Sequence, residues 1–347
     1  MGEREFNSVL LGFSGGVDSV TAVNILRDKG SRVVALTLDT VGDRQMIADA
    51  VARAQMLGVE HLVKDVSEDF QRSIVDYFVK SYSLGRTPAP CTVCNNSIKW
   101  RYLQSEADRL GIDAIATGHY FNVEKFDGRY YVARAADERK DQSYYLWGLK
   151  QDVLSRVITP MGQAIKQEVK QDAQPLFSKV KESMGLCFLQ GKMYRDFLVE
   201  HNPKVLCEGE IITEQGEVVG RHDGVAFYTI GQKRGLDMSL QGVSVVAIDA
   251  QRNRLIVGDN SRLYHDTLEV KDCNIVWCEE FMDASDVKVV VRGIGRNPEG
   301  FAREVSEIDG GFRIRLSNPA WAPAVGQPVV FYRGNRVIGG GVLEAYY

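Results

Sequence analysis

The chain has 347 residues, a formal net charge of −4, 44% hydrophobic residues and 25% charged residues. That length predicts two or three domains, and that balance a soluble globular protein rather than a disordered or fibrous one. No stretch has the uninterrupted apolar length of a membrane helix, and a mildly acidic chain that bound nucleic acid would need a local basic face.

The opening Met1-Gly2-Glu3-Arg4-Glu5-Phe6-Asn7 lacks the basic-then-apolar order of a secretory signal, so a cytoplasmic setting is expected. Val9-Leu10-Leu11 reads as a short strand. Asp18 to Lys29 reads as a helix, with Val20, Val23, Ile25 and Leu26 at helical spacing and Gly30 just beyond. The unbroken apolar run Val33 to Leu38 predicts a strand covered on both faces. Asp43 is placed to cap a helix carrying Ile47, Val51, Ala54 and Leu57, and strands follow at Leu62 to Val66 and Asp113 to Thr117. Such alternation predicts a parallel, doubly wound α/β sheet, whose ligands sit at the carboxyl ends of strands. From about Gln151 to Glu200 the pattern is mostly helical, with lysines at 166, 170, 179 and 181. After Lys204 short alternating segments are punctuated by Gln215-Gly216, Asp309-Gly310-Gly311 and Arg333-Gly334-Asn335, which are hairpin signals. The last 140 or so residues therefore read as all-β, as one or two small barrels.

The sharpest motif is Gly12-Phe13-Ser14-Gly15-Gly16-Val17-Asp18-Ser19, between a strand and a helix. The glycines let backbone approach an anion, the helix start offers N–H groups, and Ser14 and Ser19 carry hydroxyls. The lysine of a P-loop NTPase is absent, and Asp18 is suited either to hold Mg²⁺ or to cap the helix. Ala116-Thr117-Gly118-His119-Tyr120 ends a predicted strand at the same sheet edge. Cys91-Thr92-Val93-Cys94 follows a loop rich in proline, with a helix expected to begin just after Cys94, where its terminus would favour a thiolate. A CxxC pair in a reducing compartment points to redox or metal chemistry. Cys187 lies some ninety residues on. Cys207, Cys273 and Cys278 are expected to be small buried hydrophobes, Cys273-x4-Cys278 having no second half to complete a metal site.

These segments resemble the bacterial tRNA-specific 2-thiouridylases of the PP-loop ATP pyrophosphatase superfamily. The matches are Gly12 to Ser19, Gly85-Arg86-Thr87-Pro88 through Cys94-Asn95, Ala116 to Tyr120 and Lys140-Asp141-Gln142-Ser143-Tyr144-Tyr145-Leu146. They continue with Lys181-Glu182-Ser183 through Cys187-Phe188, His222-Asp223-Gly224 through Leu236, and Ala324-Val325-Gly326-Gln327 to Gly341. The resemblance implies an adenine nucleotide alpha hydrolase-like PP-loop domain over 1–203, with a helical tRNA-binding part over about 151–203. A central β domain over 204–266 and a C-terminal β-barrel over 267–347 follow. It implies ATP- and Mg²⁺-dependent 2-thiolation of the wobble uridine of tRNA, with a cysteine desulfurase, a relay protein or sulfide as sulfur donor and no membrane partner. The catalytic cysteine falls on Cys94 and the persulfide carrier on Cys187. ATP contacts fall on Gly12, Phe13, Ser14, Gly15, Gly16, Val17, Asp18 and Ser19, on Leu38 and on Gly118. The target base falls on Ala89, Pro90 and Cys91, and tRNA on His119, Lys140, Asp141, Gln142 and Gln327. Many relatives have Asn-Pro-Asp at 89–91, so the role of that Asp is vacant here. They have an Arg-Tyr pair where this chain has Val290-Val291, for which Arg292, Arg296 and Arg303 are the candidate substitutes.

Two sulfur routes follow. Sulfur carried on Cys187 attacks the adenylated C2 and Cys94 resolves the persulfide, or Cys91, Cys94 and Cys187 ligate a [4Fe–4S] cluster that delivers sulfide. The rival functions are an amidating PP-loop ligase, which needs no cysteine pair, and a non-catalytic RNA-binding module, which needs no phosphate loop.

Overall fold

The structure is a computed structural model that describes residues 6–173, 185–236, 242–293 and 296–347. By internal contacts it forms two compact units. One comprises 1–73, 91–184 and 334–338, the other 74–90, 185–333 and 339–347.

The first unit is built on β1 (Ser8–Gly12), β2 (Arg32–Asp39), β3 (Glu60–Asp65) and β4 (Ala114–Thr117). A hairpin of β5 (Asn122–Phe126) and β6 (Arg129–Ala133) and a short β7 (Val157–Ile158) complete its strands. The five-stranded sheet runs β3-β2-β1-β4-β7, with every pairing parallel. Strand alternation sends Val9 and Leu11 to one face, where they pack with Val20, Val23 and Leu26 of α1 (Val17–Asp28) and Ala50 and Ala54 of α2 (Arg44–Leu57). Leu10, Leu36 and Ile115 are equally buried, and the helix Trp100–Leu110 packs on β1 and β4. Both faces are therefore covered, which explains why β1, β2 and β4 read as unbroken apolar runs. Each such side chain contributes about 1.5–3 kcal/mol on burial.

Asp43 caps α2 as expected, accepting from the backbone N–H of Gln45 at 3.1 Å and of Met46 at 3.0 Å. The β5–β6 hairpin was not expected. It turns at Asp127 and Gly128, with φ +47° and +76°, a sequence that favours such turns. The described part of the region 151–203 is helical over about half its residues. Its described helices are Gln151–Leu154, Lys166–Ala173 and Tyr194–His201, with short 3₁₀ turns at Cys187–Leu189 and Pro203–Val205. Lys179 and the Lys181-Glu182-Ser183 segment lie outside the described residues.

The second unit is mainly β. Strands β8 (Gly209–Thr213), β9 (Val218–His222), β10 (Ser244–Asp249) and β11 (Arg254–Gly258) form a four-stranded sheet in the order β10-β11-β8-β9. The later strands are β12 (Tyr264–Ile275), β13 (Lys288–Val290), β14 (Ala302–Ile308), β15 (Gly311–Trp321), β16 (Pro328–Arg333) and β17 (Arg336–Tyr346). They pair in the order β13-β16-β17-β12-β15-β14. All three turn signals fall between paired strands: β8–β9, β14–β15 and β16–β17. Val290 is buried on β13 and Val291 just beyond it. No described helix is long and apolar enough to cross a membrane.

Candidate active site

Strand order reverses at β1, with β2 on one side and β4 on the other, so a crevice opens at the carboxyl ends of β1 and β4. The segment Gly12 to Ser19 occupies it. Its Phe13 is held on both sides: Phe13 N–H donates to Leu36 O at 2.8 Å, and Thr37 Oγ1 donates to Phe13 O at 2.6 Å. The Thr37 hydroxyl has no second proton, so His61 Nε2, 2.8 Å away, must be its donor, and burial lowers the His61 pKa accordingly. Arg53 of α2 donates to Gly15 O at 2.7 Å. Gly15 has φ +69°, and a Cβ there would lie 2.9 Å from the Ala50 backbone, so the turn and the approach of α2 both require glycine.

Gly16 begins α1 with no side-chain cap, leaving the first-turn N–H groups pointed at the crevice. Ser14 is exposed, whereas Ser19 is buried and donates to Gly16 O at 2.9 Å. Of the two hydroxyls expected at the phosphates, Ser14 is therefore the one facing solvent. Asp18 does not cap the helix. Its Oδ1 accepts from Tyr120 OH at 2.8 Å and from Lys166 Nζ at 2.5 Å. Lys166, one of the lysines of the region expected to be helical, is buried. Asp18 and Lys166 thus form a charge pair under the loop. Leu38 sits half-buried at the end of β2. A Cβ on Gly118 would meet Ser19 N at 3.0 Å, so the smallness of Gly118 serves the packing of β4 against α1.

His119 follows β4, with Nδ1 2.8 Å from Thr117 Oγ1. Burial, aided by the Lys99 charge, drives its pKa down to about 3, so the ring is neutral. Gln142 clamps this turn, its Oε1 accepting from Tyr120 N–H at 2.9 Å. Asp141 accepts from Ala135 N–H at 3.0 Å, Ser143 N–H at 3.2 Å and Ser143 Oγ at 2.7 Å. The Asp141 and Gln142 side chains, expected at tRNA, hold their own loops. Lys140 is half-exposed beside them.

The cysteine pair lies differently from the expectation. Helix begins at Pro90, runs through Pro90–Cys94 and Asn95–Lys99, and continues into Trp100–Leu110. Proline suits a first helical position, since its missing N–H would have no partner there. Cys91 is exposed in the first turn, and Cys94 is buried near its end. The same run carries Leu103, whose Cδ1 is 3.3 Å from where a Cβ on Gly12 would sit, and so ties the cysteine helix to the phosphate loop. Asn95 donates to Tyr145 O at 3.2 Å, while Asn95 Oδ1, Asn96 Oδ1 and Thr92 Oγ1 are buried with no hydrogen-bond partner. Sequence reasoning missed these acceptors because nothing local marks them as buried.

In the second unit Cys187 is exposed on a 3₁₀ turn anchored by Phe188, which stacks edge-on to Phe78 at 5.1 Å. Cys207 and Cys278 are exposed, against expectation. Asn253 Nδ2 reaches the Cys207 Sγ at 3.3 Å, and Cys278 opens a short helix that buries Glu280 and Phe281. Cys273 is half-buried, its thiol pushed up to about 11 chiefly by burial. Gln327 donates to Thr87 O at 3.0 Å. Arg292 donates to Ala322 O and lies over Trp321, whereas Arg296 and Arg303 are exposed. Among the described residues no group of three or more His, Cys, Asp or Glu side chains is placed to hold a metal.

A glycine loop without a P-loop lysine, opening an uncapped helix at the switch point of a 3-2-1-4 parallel sheet, defines a nucleotide-binding α/β protein of the PP-loop type. Family models match three successive segments. Residues 7–191 match "tRNA methyl transferase HUP domain", 195–259 "tRNA methyl transferase PRC-barrel domain" and 265–343 "Aminomethyltransferase beta-barrel domain". The chain is 37% identical to tRNA-specific 2-thiouridylase MnmA 1 of Bacteroides fragilis, over 96% of each chain. It is 38% identical to MnmA 3 of the same organism, over 97% of this chain and 94% of that one. It is 33% identical to MnmA 1 of Clostridium botulinum, over 97% and 99%. The chain belongs to the tRNA-specific 2-thiouridylase family.

Proposed function

We propose that this protein converts C2=O of a tRNA wobble uridine to C2=S, using ATP. The observation that carries the reading is the uncapped phosphate loop in the same compact unit as the Cys91–Cys94 helix, the two joined through Leu103 and Gly12. A carbonyl oxygen is a poor leaving group. Attack of the uridine O2 on the α-phosphorus of ATP releases pyrophosphate and leaves C2 bonded to an adenylate, which departs as AMP. The α1 N–H groups and Ser14 would meet the phosphate charge. Asp18 is a hard oxygen donor of the kind Mg²⁺ takes together with phosphate oxygens and water, and would hold the Mg²⁺ that accompanies ATP.

Sulfur arrives on Cys187 as a persulfide. Its terminal sulfur attacks C2, and Cys94 attacks the Cys187 Sγ. The S–S bond breaks with its electron pair left on the sulfur bonded to C2, AMP leaves, and a Cys94–Cys187 disulfide forms. A dithiol reductant then resets the pair. The base must leave the anticodon stack to reach the site. Ala89, Pro90 and Cys91 are proposed to meet it, and the buried acceptors Asn95 Oδ1 and Asn96 Oδ1 offer a partner for an imide N–H. His119, Lys140 and Gln327 are proposed to lie near the tRNA. The three-domain division at 203 and 266 and a cytoplasmic setting belong to the same reading. In Cys94→Ser and Cys187→Ser, mass spectrometry of tRNA nucleosides should find 2-thiouridine lost while tRNA-dependent pyrophosphate release persists. Full thiolation by either variant would end the proposal.

A further inference from the structure

The segment Gly85 to Pro88 has no regular structure; the Gly85 and Arg86 N–H groups bond back to Tyr82 O and Ser81 O, while elements distant in the chain hold Thr87, the Pro88 carbonyl and the Arg86 guanidinium. Thr87 N–H donates to Val325 O at 2.8 Å. Gln327 Nε2 donates to Thr87 O at 3.0 Å and to Pro88 O at 3.4 Å. The Thr87 hydroxyl lies 2.7 Å from Thr229 Oγ1. Arg86 Nη2 meets Glu344 Oε2 at 2.5 Å, with Nη1 3.4 Å from Oε1. Gly326, at φ +94°, lies so close that a Cβ would sit 3.2 Å from Thr87 O. The turn bearing Gln327 is itself fastened to β17, through Gly326 N–H to Leu343 O and Leu343 N–H to Gln327 O, each at 2.9 Å. All these groups belong to the second unit. From Pro88 the chain passes through Ala89 and Pro90 directly into Cys91.

A short irregular loop has little rigidity of its own, so contacts of this kind fix its conformation. We infer that the C-terminal β region acts as a template for the loop that leads into the cysteine pair, with Gln327, Arg86 and Glu344 as positioning residues for sulfur transfer. The Gln327 amide reaches the reaction through the Thr87 and Pro88 carbonyls. This inference rests on the thiolation reading above and goes beyond it, because it gives the C-terminal strands a part in turnover as well as in any grip on tRNA.

The test compares Arg86→Glu, Glu344→Arg, the swapped pair carrying both changes, Gln327→Ala and Gln327→Glu. Each is assayed with saturating unmodified tRNA, Mg·ATP, cysteine and a cysteine desulfurase, and tRNA affinity is measured separately. Each single change should slow thiolation about tenfold, as misplacement of a reacting group does, while the Arg86 and Glu344 changes leave tRNA affinity within about twofold. The swapped pair should recover most of the wild-type rate. Gln327→Glu should be slower than Gln327→Ala, because a carboxylate opposite two carbonyls repels them. Weakened tRNA affinity with an unchanged rate at saturation, or a swapped pair no better than the single changes, would overturn the inference. A wild-type protein that makes no 2-thiouridine would instead refute the thiolation reading.

Discussion

His119 and Lys166 show what individual side chains do at the crevice. Lys166 reaches Asp18 across 148 positions of sequence. No local pattern could announce that partner. In the structure its charge balances the one carboxylate of the phosphate loop. Neutral His119 makes a prediction about acid stability. Its pKa falls from the ordinary 6.5 to about 3 on folding, mainly through burial. The unfolded chain therefore binds the proton more readily. The stability associated with the neutral ring is complete above pH 6.5 and is lost as the pH falls toward 3. Denaturant unfolding of the wild type and His119→Gln across that window should show the wild type losing stability more steeply; parallel curves would show the ring to be unimportant.

The elements differ in how far their own sequence specifies them. β1, α1, β2 and α2 were legible because apolar period, a cap and terminal glycines agree. The Asp43 cap is the clearest case. Asp43→Ala should destabilise the protein by about 1 kcal/mol in urea unfolding, the usual value of a lost N-cap. The hairpins β8–β9, β14–β15 and β16–β17 were legible from their turn residues. The β5–β6 hairpin was not read despite Asp127-Gly128, because the segment lies within an alternating α/β pattern that directs attention to parallel strands. The cysteine helix was placed a turn late for a related reason. Pro88 and Pro90 suggest extended chain, yet Pro90 occupies the first helical position, where proline is tolerated. That moves Cys94 from a helix entrance to a buried site within a helical run.

For the whole molecule, the order of motifs along the chain marks the family, but it does not separate residues that touch ligands from residues that hold them. Gly118, Asp141, Gln142 and Gln327 share the family motifs, and in each the visible role is internal: close packing against α1, a loop staple, a turn clamp and a loop template. Among the described motif positions Ser14, Cys91 and Cys187 are exposed, as are Asp223, Lys233 and Arg234. The account joins a phosphate loop to sulfur chemistry, and the most direct test is the stoichiometry of pyrophosphate released to 2-thiouridine formed in a single reaction on unmodified tRNA. It predicts one pyrophosphate for each thiolated uridine and no thiolation without ATP. Thiolation that proceeds with no pyrophosphate released would contradict it.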